Sequence, residues 1–122
     1  MKRGVLLFAH GARDPGWARP FEAVARRVRA AGVEAALGYL EFMSPRLLDA
    51  GATLAGAGCD HVEVLPLFLG AGGHVRRELP ALVDELRRRH PGVCFVLRGA
   101  VGEDEAVIEA MAACALRGAG DT

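Results

Sequence analysis

Continuous apolar runs alternate along this chain with stretches in which apolar side chains recur every three or four residues. The runs are typical of strands buried on both faces of a parallel sheet, and the longer spacing is typical of amphipathic helices. The runs predict four strands, at Gly4–Ala9, Ala35–Leu40, His61–Leu67 and Val93–Leu97. The helical spacing predicts four helices, from Phe21 to Gly32, from the Ser44-Pro45 pair to Gly56, at Leu79–Arg89 and at Glu103–Leu116.

Three helix details follow from residue type. Ser44 is expected to cap the second helix, with Pro45 at its first position. Pro80 is expected in the first turn of the third helix, because proline disrupts a helix interior. Four apolar residues of the last helix are expected to face inward, namely Val107, Ile108, Met111 and Ala115.

A strand followed by a helix, four times over, predicts right-handed βαβ units. The fold class is therefore α/β, a four-stranded parallel sheet with helices on both faces, of the flavodoxin- or Rossmann-like (βα)4 kind. The 122 residues are enough for one hydrophobic core. We expect a single domain over residues 1–117 and a short flexible tail over residues 118–122.

Charge and cysteine usage exclude several classes of protein. Fifteen basic and fifteen acidic side chains cancel, so no overall field favours nucleic acid or an anionic membrane as a partner. The three cysteines lack the spacing of a zinc site or disulfide framework, and Cys94 and Cys114 are expected as buried free thiols. No apolar run is long enough to span a membrane. A reducing cytoplasm is the expected location.

Two histidines follow strands in glycine-containing, arginine-bearing loops. The first loop reads His10-Gly11-Ala12-Arg13-Asp14 and the second Gly70-Ala71-Gly72-Gly73-His74-Val75-Arg76-Arg77, while Glu41 follows the second strand. Loops after parallel strands emerge at the carboxyl edge of the sheet, where ligands bind, so these groups are expected to meet there. Imidazole and carboxylate suit a transition metal in an open site, and the arginines suit an acidic ligand.

The other two histidines serve as a contrast. His61 begins the third strand at the opposite edge of the sheet, and His90 lies where the third helix ends. Both are expected to have structural or surface roles.

Three segments resemble the short form of the sirohydrochlorin chelatases, class II chelatases of the CbiX/SirB type. They are the first loop from His10, the Leu40–Pro45 segment, and Val64–Leu69 followed by Gly72-Gly73-His74 and residues 77–80. The resemblance runs from Gly4 to about Ile108. It implies insertion of Co²⁺ or Fe²⁺, or Ni²⁺, into a polycarboxylate tetrapyrrole, as in cobalamin or siroheme biosynthesis. Ala12 stands where the family usually has serine, which removes one hydroxyl from the loop.

The resemblance also implies roles for individual residues. His10 and His74 map to the metal-binding histidines of the family, with Glu41 beside them, and one of these three accepts a pyrrole proton. The candidate substrate-binding residues at the same rim are Arg13, Arg46, Phe68, Leu69, Gly72, Gly73, Arg76 and Arg77. The metal is a substrate, and no nucleotide or flavin is expected. The short form pairs as a homodimer, with the tetrapyrrole cavity between subunits.

Other functions are open at this point. A flavodoxin-like module that binds a metal or cofactor without catalysis would use the same edge of the sheet. A metal-delivery protein that binds no tetrapyrrole would also use the histidines. A histidine phosphatase fits less well, since Ala9 stands where that class has an arginine before the histidine.

Overall fold

Four parallel strands form a single sheet. In the computed structural model these are β1 (Arg3–Ala9), β2 (Glu34–Tyr39), β3 (His61–Pro66) and β4 (Cys94–Leu97), in the order β2-β1-β3-β4. The helices are α1 (Arg19–Ala30), α2 (Leu47–Gly56), α3 (Gly73–Arg89) and α4 (Glu105–Arg117), with short 3₁₀ turns at Pro15–Ala18 and Val101–Glu103. The structure describes residues 1–70 and 72–119, with the backbone alone at His74; residues 120–122 of the expected tail lie outside this part. The predicted fold class is confirmed, and each strand boundary agrees with the prediction to within one residue.

Alternate side chains of the central strand β1 enter two hydrophobic clusters. Leu6 and Phe8 pack in the larger cluster, with residues of α2 and α3. Val5 and Leu7 pack in the smaller one, with residues of α1. This alternation is the two-residue period of a strand, and burial of both faces accounts for the unbroken apolar run in the sequence.

The strand order places the loops of interest side by side. The chain moves from β1 to β2 on one side, and β3 lies on the other side of β1. The order therefore reverses between β1 and β3, and in open α/β sheets ligands bind at the carboxyl ends of the strands at such a switch point. The segment after β1 and the segment leading into α3 lie on either side of this point.

The predicted start of α3 is wrong. The helix begins at Gly73 and runs through Pro80, rather than beginning at Leu79. Pro80 is exposed and has no N–H to donate to the carbonyl of Arg76, but water reaches this face of the helix. Burial of Leu79 in the core holds the turn in place despite the lost hydrogen bond. His74 consequently lies in the first turn of a helix rather than in a loop.

The predicted cap of α2 is also wrong, because the helix begins at Leu47 with Arg46 at the cap position and no side-chain cap. The carbonyl of Pro45 instead accepts a hydrogen bond from the Tyr39 N–H (2.8 Å). Tyr39 and Arg46 thereby form an isolated parallel β-bridge. The Ser44-Pro45 peptide bond is cis. This segment is used to extend the edge of the sheet, so the helix starts after it.

Two expectations of burial are contradicted near the chain end. None of the residues of α4 is buried, although Ile108 and Met111 were expected to face inward. Cys94 and Cys114 are exposed free thiols, whereas Cys59 is buried. The cause is the same in both cases, since α4 does not cover the sheet face on which Cys94 lies. Among the described residues, no helix has the length and apolar character needed to cross a membrane.

Candidate active site

A direct side-chain contact joins the segments that follow β1 and β2. The His10 Nε2 atom lies 3.0 Å from Glu41 Oε1, and each side chain is 45% exposed. The backbone continues the strand pairing up to this point, with Leu40 N–H donating to the Ala9 carbonyl (3.0 Å) and Glu41 N–H to the His10 carbonyl (3.1 Å). The pair is therefore held at the carboxyl edge by the sheet itself and remains open to a ligand.

Gly11 makes the close approach of these two segments possible. Its φ is +95°, in the region that favours glycine, and an added Cβ would collide with the backbone carbonyl oxygen of Glu41. A larger residue at this position would push Glu41 away from His10. The glycine that follows the first histidine thus has a specific steric role.

The loop after Glu41 presents an aromatic ring beside a cation. Phe42 has a φ of +67°, uncommon outside glycine, and its side chain is 52% exposed. The Arg13 guanidinium carbon lies 5.1 Å from the centre of the Phe42 ring, within cation–π range. A cleft of about 320 Å³ opens next to both residues, with Met43 and Tyr39 in its wall.

Tyr39 forms the inner wall of this cleft. It is 4% exposed, and burial, together with the nearby Glu22 carboxylate, raises the pKa of its phenol above the ordinary value of 10.0. The phenol therefore stays neutral around pH 7 and contributes packing and a hydroxyl rather than a charge.

The first turn of α3 lies across the switch point from His10. Leu67 N–H donates to the Phe8 carbonyl (2.7 Å), so the chain leaves β3 alongside the end of β1. Gly72 occupies the cap position of α3 without a side-chain cap, and Gly73 is the first helical residue. The N–H groups of such a turn favour anions. The side chain of His74 lies outside the described part of the structure.

A second cleft, of about 220 Å³, lies between the ends of β3 and β4. Arg76 and Arg98 contribute to its wall together with Phe68, Leu97 and Glu103. Arg98 was missed in the sequence analysis, although it comes directly after β4, where a ligand-facing residue is expected in a parallel sheet. Its guanidinium also lies 3.8 Å from the Glu63 carboxylate.

The remaining candidate residues differ in whether their side chains are exposed or already held by other groups of the protein. Arg46 is exposed, but its Nη1 donates to the Leu40 carbonyl (2.9 Å), which gives it a structural role in the loop. Phe68 is half-buried and packs edge-on against Phe8, with ring centres 5.6 Å apart. Leu69 is 68% exposed at the rim. Arg77 is exposed on the first turns of α3.

The other histidines lie away from this edge, as expected. His61 begins β3 at the opposite end of the sheet, paired in register with Arg3 of β1. His90 lies at the carboxyl end of α3, with its ring 6.1 Å from that of Phe95. Among the side chains that the structure describes, no group of three or more His, Cys, Asp or Glu residues lies together as a metal site. Of the three residues predicted to meet at this edge, His10 and Glu41 are the two whose side chains the structure describes.

Known proteins with similar sequences are chelatases. The chain is 31% identical to the sirohydrochlorin cobaltochelatase of Sulfurisphaera tokodaii, over 87% of this chain and 85% of that protein. It is 32% identical to the sirohydrochlorin cobaltochelatase of Priestia megaterium, over 88% of this chain but 35% of that longer protein.

Solved structures agree in fold. A cobalamin (vitamin B12) biosynthesis CbiX protein from Marinobacter aquaeolei VT8 superimposes with a TM-score of 0.84 at 30% identity, covering 94% of this chain and 95% of the other. The sirohydrochlorin chelatase SirB from Bacillus subtilis subspecies spizizenii, in complex with cobalt, superimposes with a TM-score of 0.80 at 23% identity. The match covers 93% of this chain and 49% of SirB.

The family model described as CbiX matches residues 4–116, nearly the whole chain. This match includes the segments that carry His10, Glu41 and His74, and it disfavours the histidine phosphatase and flavodoxin-like alternatives. The chain belongs to the CbiX family.

Proposed function

We propose that this chain is a sirohydrochlorin chelatase, which inserts a divalent metal ion into a polycarboxylate tetrapyrrole. Co²⁺ is the first candidate substrate, because related proteins are named cobaltochelatases; Fe²⁺ and Ni²⁺ are the other two. The reaction belongs to cobalamin or siroheme biosynthesis, runs in the cytoplasm, and needs neither nucleotide nor flavin. One domain over residues 1–117 carries the site.

The contact between His10 Nε2 and Glu41 Oε1 (3.0 Å) at the switch point carries the proposal. Metal-binding histidines commonly donate their second ring N–H to a carboxylate, which fixes the tautomer and the orientation of the ring. A carboxylate only accepts hydrogen bonds, so the proton lies on Nε2 and the lone pair lies on Nδ1. We assign Nδ1 of His10 as a metal ligand and His74, across the switch point, as the second.

Glu41 has two roles in this scheme. It orients His10, and it accepts a proton from a pyrrole N–H as the ion enters the ring. A general base must lie within hydrogen-bond reach of the proton it takes, and a half-exposed carboxylate beside His10 would lie next to a ring bound over the ion. Since two ring protons leave during insertion, a base open to water can release them one after the other.

Cations on both sides of His10 would hold the carboxylates of the ring. Arg13 lies on one side, and Arg76 and Arg98 line the cleft on the other. A guanidinium binds a carboxylate through two parallel hydrogen bonds, which fixes orientation as well as adding affinity. Arg77, Leu69 and the glycines at the start of α3 complete the proposed rim.

The size of the clefts favours a site shared by two copies of the chain. Drug-sized ligands occupy sites of about 300–1,000 Å³, and the two clefts described above measure about 220 and 320 Å³. A macrocycle with eight carboxylates exceeds either one. SirB is about twice as long, with this chain covering 49% of it. We therefore propose a homodimer in which the carboxyl edges of two sheets face each other across the tetrapyrrole.

The test is an anaerobic assay of the purified chain with sirohydrochlorin and each of Co²⁺, Fe²⁺ and Ni²⁺ in turn. Binding and metallation both shift the absorption bands of the ring, so absorption spectra recorded over time follow both steps. Insertion of at least one ion well above the rate without protein is expected. Rates equal to that background for all three ions would contradict the proposal, and metal binding without acceleration would indicate a delivery protein.

A further inference from the structure

Phe42 is exposed at the carboxyl edge in a backbone conformation that side chains other than glycine rarely adopt. Its φ is +67°, and no other residue besides glycine has a positive φ in the part of the chain that the structure describes. Among the Phe, Tyr and Trp side chains, all of which the structure describes, it is the only exposed one. Glycine would adopt this backbone without strain and leave no apolar ring in water. A strained, exposed aromatic residue beside the candidate site therefore indicates that the ring itself has a role.

The loop holds the Phe42 ring in place rather than leaving it on a free segment. The Tyr39 N–H donates to the Pro45 carbonyl (2.8 Å), which closes the loop at its base. The Glu41 N–H donates to the His10 carbonyl (3.1 Å), which fixes the residue before Phe42 against the first loop. The ring is thus held next to the residues proposed to handle the ion and the pyrrole proton.

Arg13 lies over the Phe42 ring and keeps its charge available. The guanidinium carbon is 5.1 Å from the ring centre. The neighbouring Asp14 carboxylate accepts from the Gly16 N–H (2.9 Å), and none of the ion pairs between described residues includes Arg13. An aromatic ring holds a guanidinium in place without neutralising it, so Arg13 can still bind an anion.

We propose that Phe42 binds the substrate: its ring packs against the conjugated macrocycle, while Arg13 donates to a carboxylate at the edge of the same macrocycle. Phe42 directly follows Glu41, whose side chain contacts His10 (3.0 Å), so a tetrapyrrole centred on an ion at His10 extends over this loop. Aromatic rings attract each other in offset-stacked and edge-to-face arrangements, and a guanidinium fork matches a carboxylate. The inference rests on the proposed function, because it takes the tetrapyrrole as the ligand.

The pair selects for a ligand that is both flat and acidic. A polycarboxylate without a conjugated ring gains only the contact with Arg13, and a ring without carboxylates gains only the contact with Phe42. Because the two side chains orient each other before the ligand arrives, less conformational entropy is lost on binding. Phe42 therefore adds a specificity that the histidines, which are proposed to contact the ion, do not supply.

Absorption titrations with metal-free sirohydrochlorin, in the absence of metal, test this role. Phe42→Gly removes the ring and suits the φ of +67°, so the loop should keep its shape. Its Kd for the tetrapyrrole should rise about 10-fold, whereas Phe42→Tyr, which keeps a ring, should stay within about threefold of the wild type. Val24→Ala is the control, because Val24 is an exposed apolar residue (39%) on α1 and its loss should leave the Kd unchanged.

The Co²⁺ affinity of the protein without tetrapyrrole separates substrate binding from a structural role. If Phe42 only held the loop, its loss would also disturb His10 and Glu41 and weaken Co²⁺ binding. Phe42→Gly should instead keep the Co²⁺ affinity within about twofold of the wild type. An unchanged Kd for sirohydrochlorin in Phe42→Gly would overturn the inference, and so would a loss of Co²⁺ affinity as large as the loss of tetrapyrrole affinity.

Arg13→Gln tests the other half of the pair. It should raise the Kd for sirohydrochlorin and make that Kd less dependent on salt, because one contact between opposite charges is lost. A salt dependence equal to that of the wild type would overturn the assignment of a carboxylate to Arg13.

The titration needs no metal insertion, so failure of this inference and failure of the proposed function are distinguishable. A wild type that binds sirohydrochlorin, with the expected loss in Phe42→Gly, but inserts no metal would overturn the chelatase function alone. Metal insertion combined with a Kd indifferent to Phe42, or with no binding of the metal-free ring, would overturn the inference alone. Absence of both binding and insertion would overturn both.

Discussion

His10 and Glu41 are far apart in sequence, and a glycine governs how closely they meet. The backbone at Gly11 lies against the Glu41 carbonyl, in a conformation that side chains other than glycine rarely adopt. The 3.0 Å contact between His10 and Glu41 depends on that approach. At the scale of single residues, the geometry of the site is therefore set by the backbone as much as by the two side chains.

Gly11→Ala is expected to lower the free energy of unfolding for two separable reasons. The φ of +95° is unfavourable for alanine, and the Cβ collides with the Glu41 carbonyl. Gly32→Ala is a matched control, because Gly32 has a φ of +90° and an added Cβ there meets nothing within 4 Å. Denaturant unfolding should give a loss of about 1 kcal/mol for Gly32→Ala and clearly more for Gly11→Ala. Equal losses would show that the contact with Glu41 has no energetic weight.

Substitutions of Glu41 separate its two proposed roles. Glu41→Ala should lower Co²⁺ affinity about 10–100-fold, because His10 loses the group that orients it. Glu41→Gln keeps an oxygen that accepts from Nε2–H but cannot take a proton. It should therefore bind Co²⁺ nearly as well as the wild type and insert it about 10²–10⁴-fold more slowly. Titration of Co²⁺ and the insertion rate are the two measurements.

Two results would contradict these roles. Wild-type insertion by Glu41→Gln would exclude Glu41 as the base. Wild-type Co²⁺ affinity in Glu41→Ala would exclude it as the residue that orients His10. Arg46→Ala is the reference variant for a change in the same loop. Its guanidinium donates a hydrogen bond to the Leu40 carbonyl, and the variant leaves the His10 and Glu41 side chains in place.

The meeting of His10 and Glu41 at this edge could be predicted from the sequence, because it depends only on where the strands end. The positions of His10 and Glu41 follow from the apolar runs that precede them. The φ of +67° at Phe42 and the stacking of Arg13 on its ring could not be predicted, because both depend on how the loop closes back onto Tyr39. The position of Arg98 at this edge follows from the same rule, because it comes directly after β4.

At the scale of elements, the apolar runs predicted the strand boundaries well, whereas the helical spacing predicted helix starts poorly. A strand buried on both faces leaves an unbroken run whose ends are plain in the sequence. Helix α3 begins six residues earlier than expected (Gly73 rather than Leu79) because tertiary burial of Leu79 outweighs the disfavoured Pro80. The cap of α2 was misplaced because the Pro45 carbonyl pairs with β2 instead.

Pro80→Ala is expected to stabilise the protein. Alanine restores an N–H that can donate to the Arg76 carbonyl and removes the ring from an exposed helix interior, a gain of about 1–3 kcal/mol. Pro20→Ala is the control, because Pro20 lies in the first turn of α1, where proline is tolerated. Thermal unfolding of both variants measures the difference. A Pro80→Ala variant no more stable than Pro20→Ala would mean that the helix does not run through this position in solution.

At the scale of the whole molecule, periodicity showed that α4 has an apolar face but not what covers it. The inward positions predicted for Ile108 and Met111 were wrong within one copy, and the predicted burial of Cys94 failed with them. A hydrophobic stripe only indicates that some surface is buried.

The central claim is that His10 and His74 hold one ion together at the carboxyl edge, and the rate of Co²⁺ insertion into sirohydrochlorin tests it most directly. His10→Ala and His74→Ala should each reduce the rate to that without protein, and the double variant should be no slower, since ligands of one ion act as a unit. His61→Ala, at the opposite edge, should stay within about twofold of the wild type. Circular dichroism verifies the fold of each variant. Wild-type insertion by either single variant, or a loss in His61→Ala as large as theirs, would contradict the account.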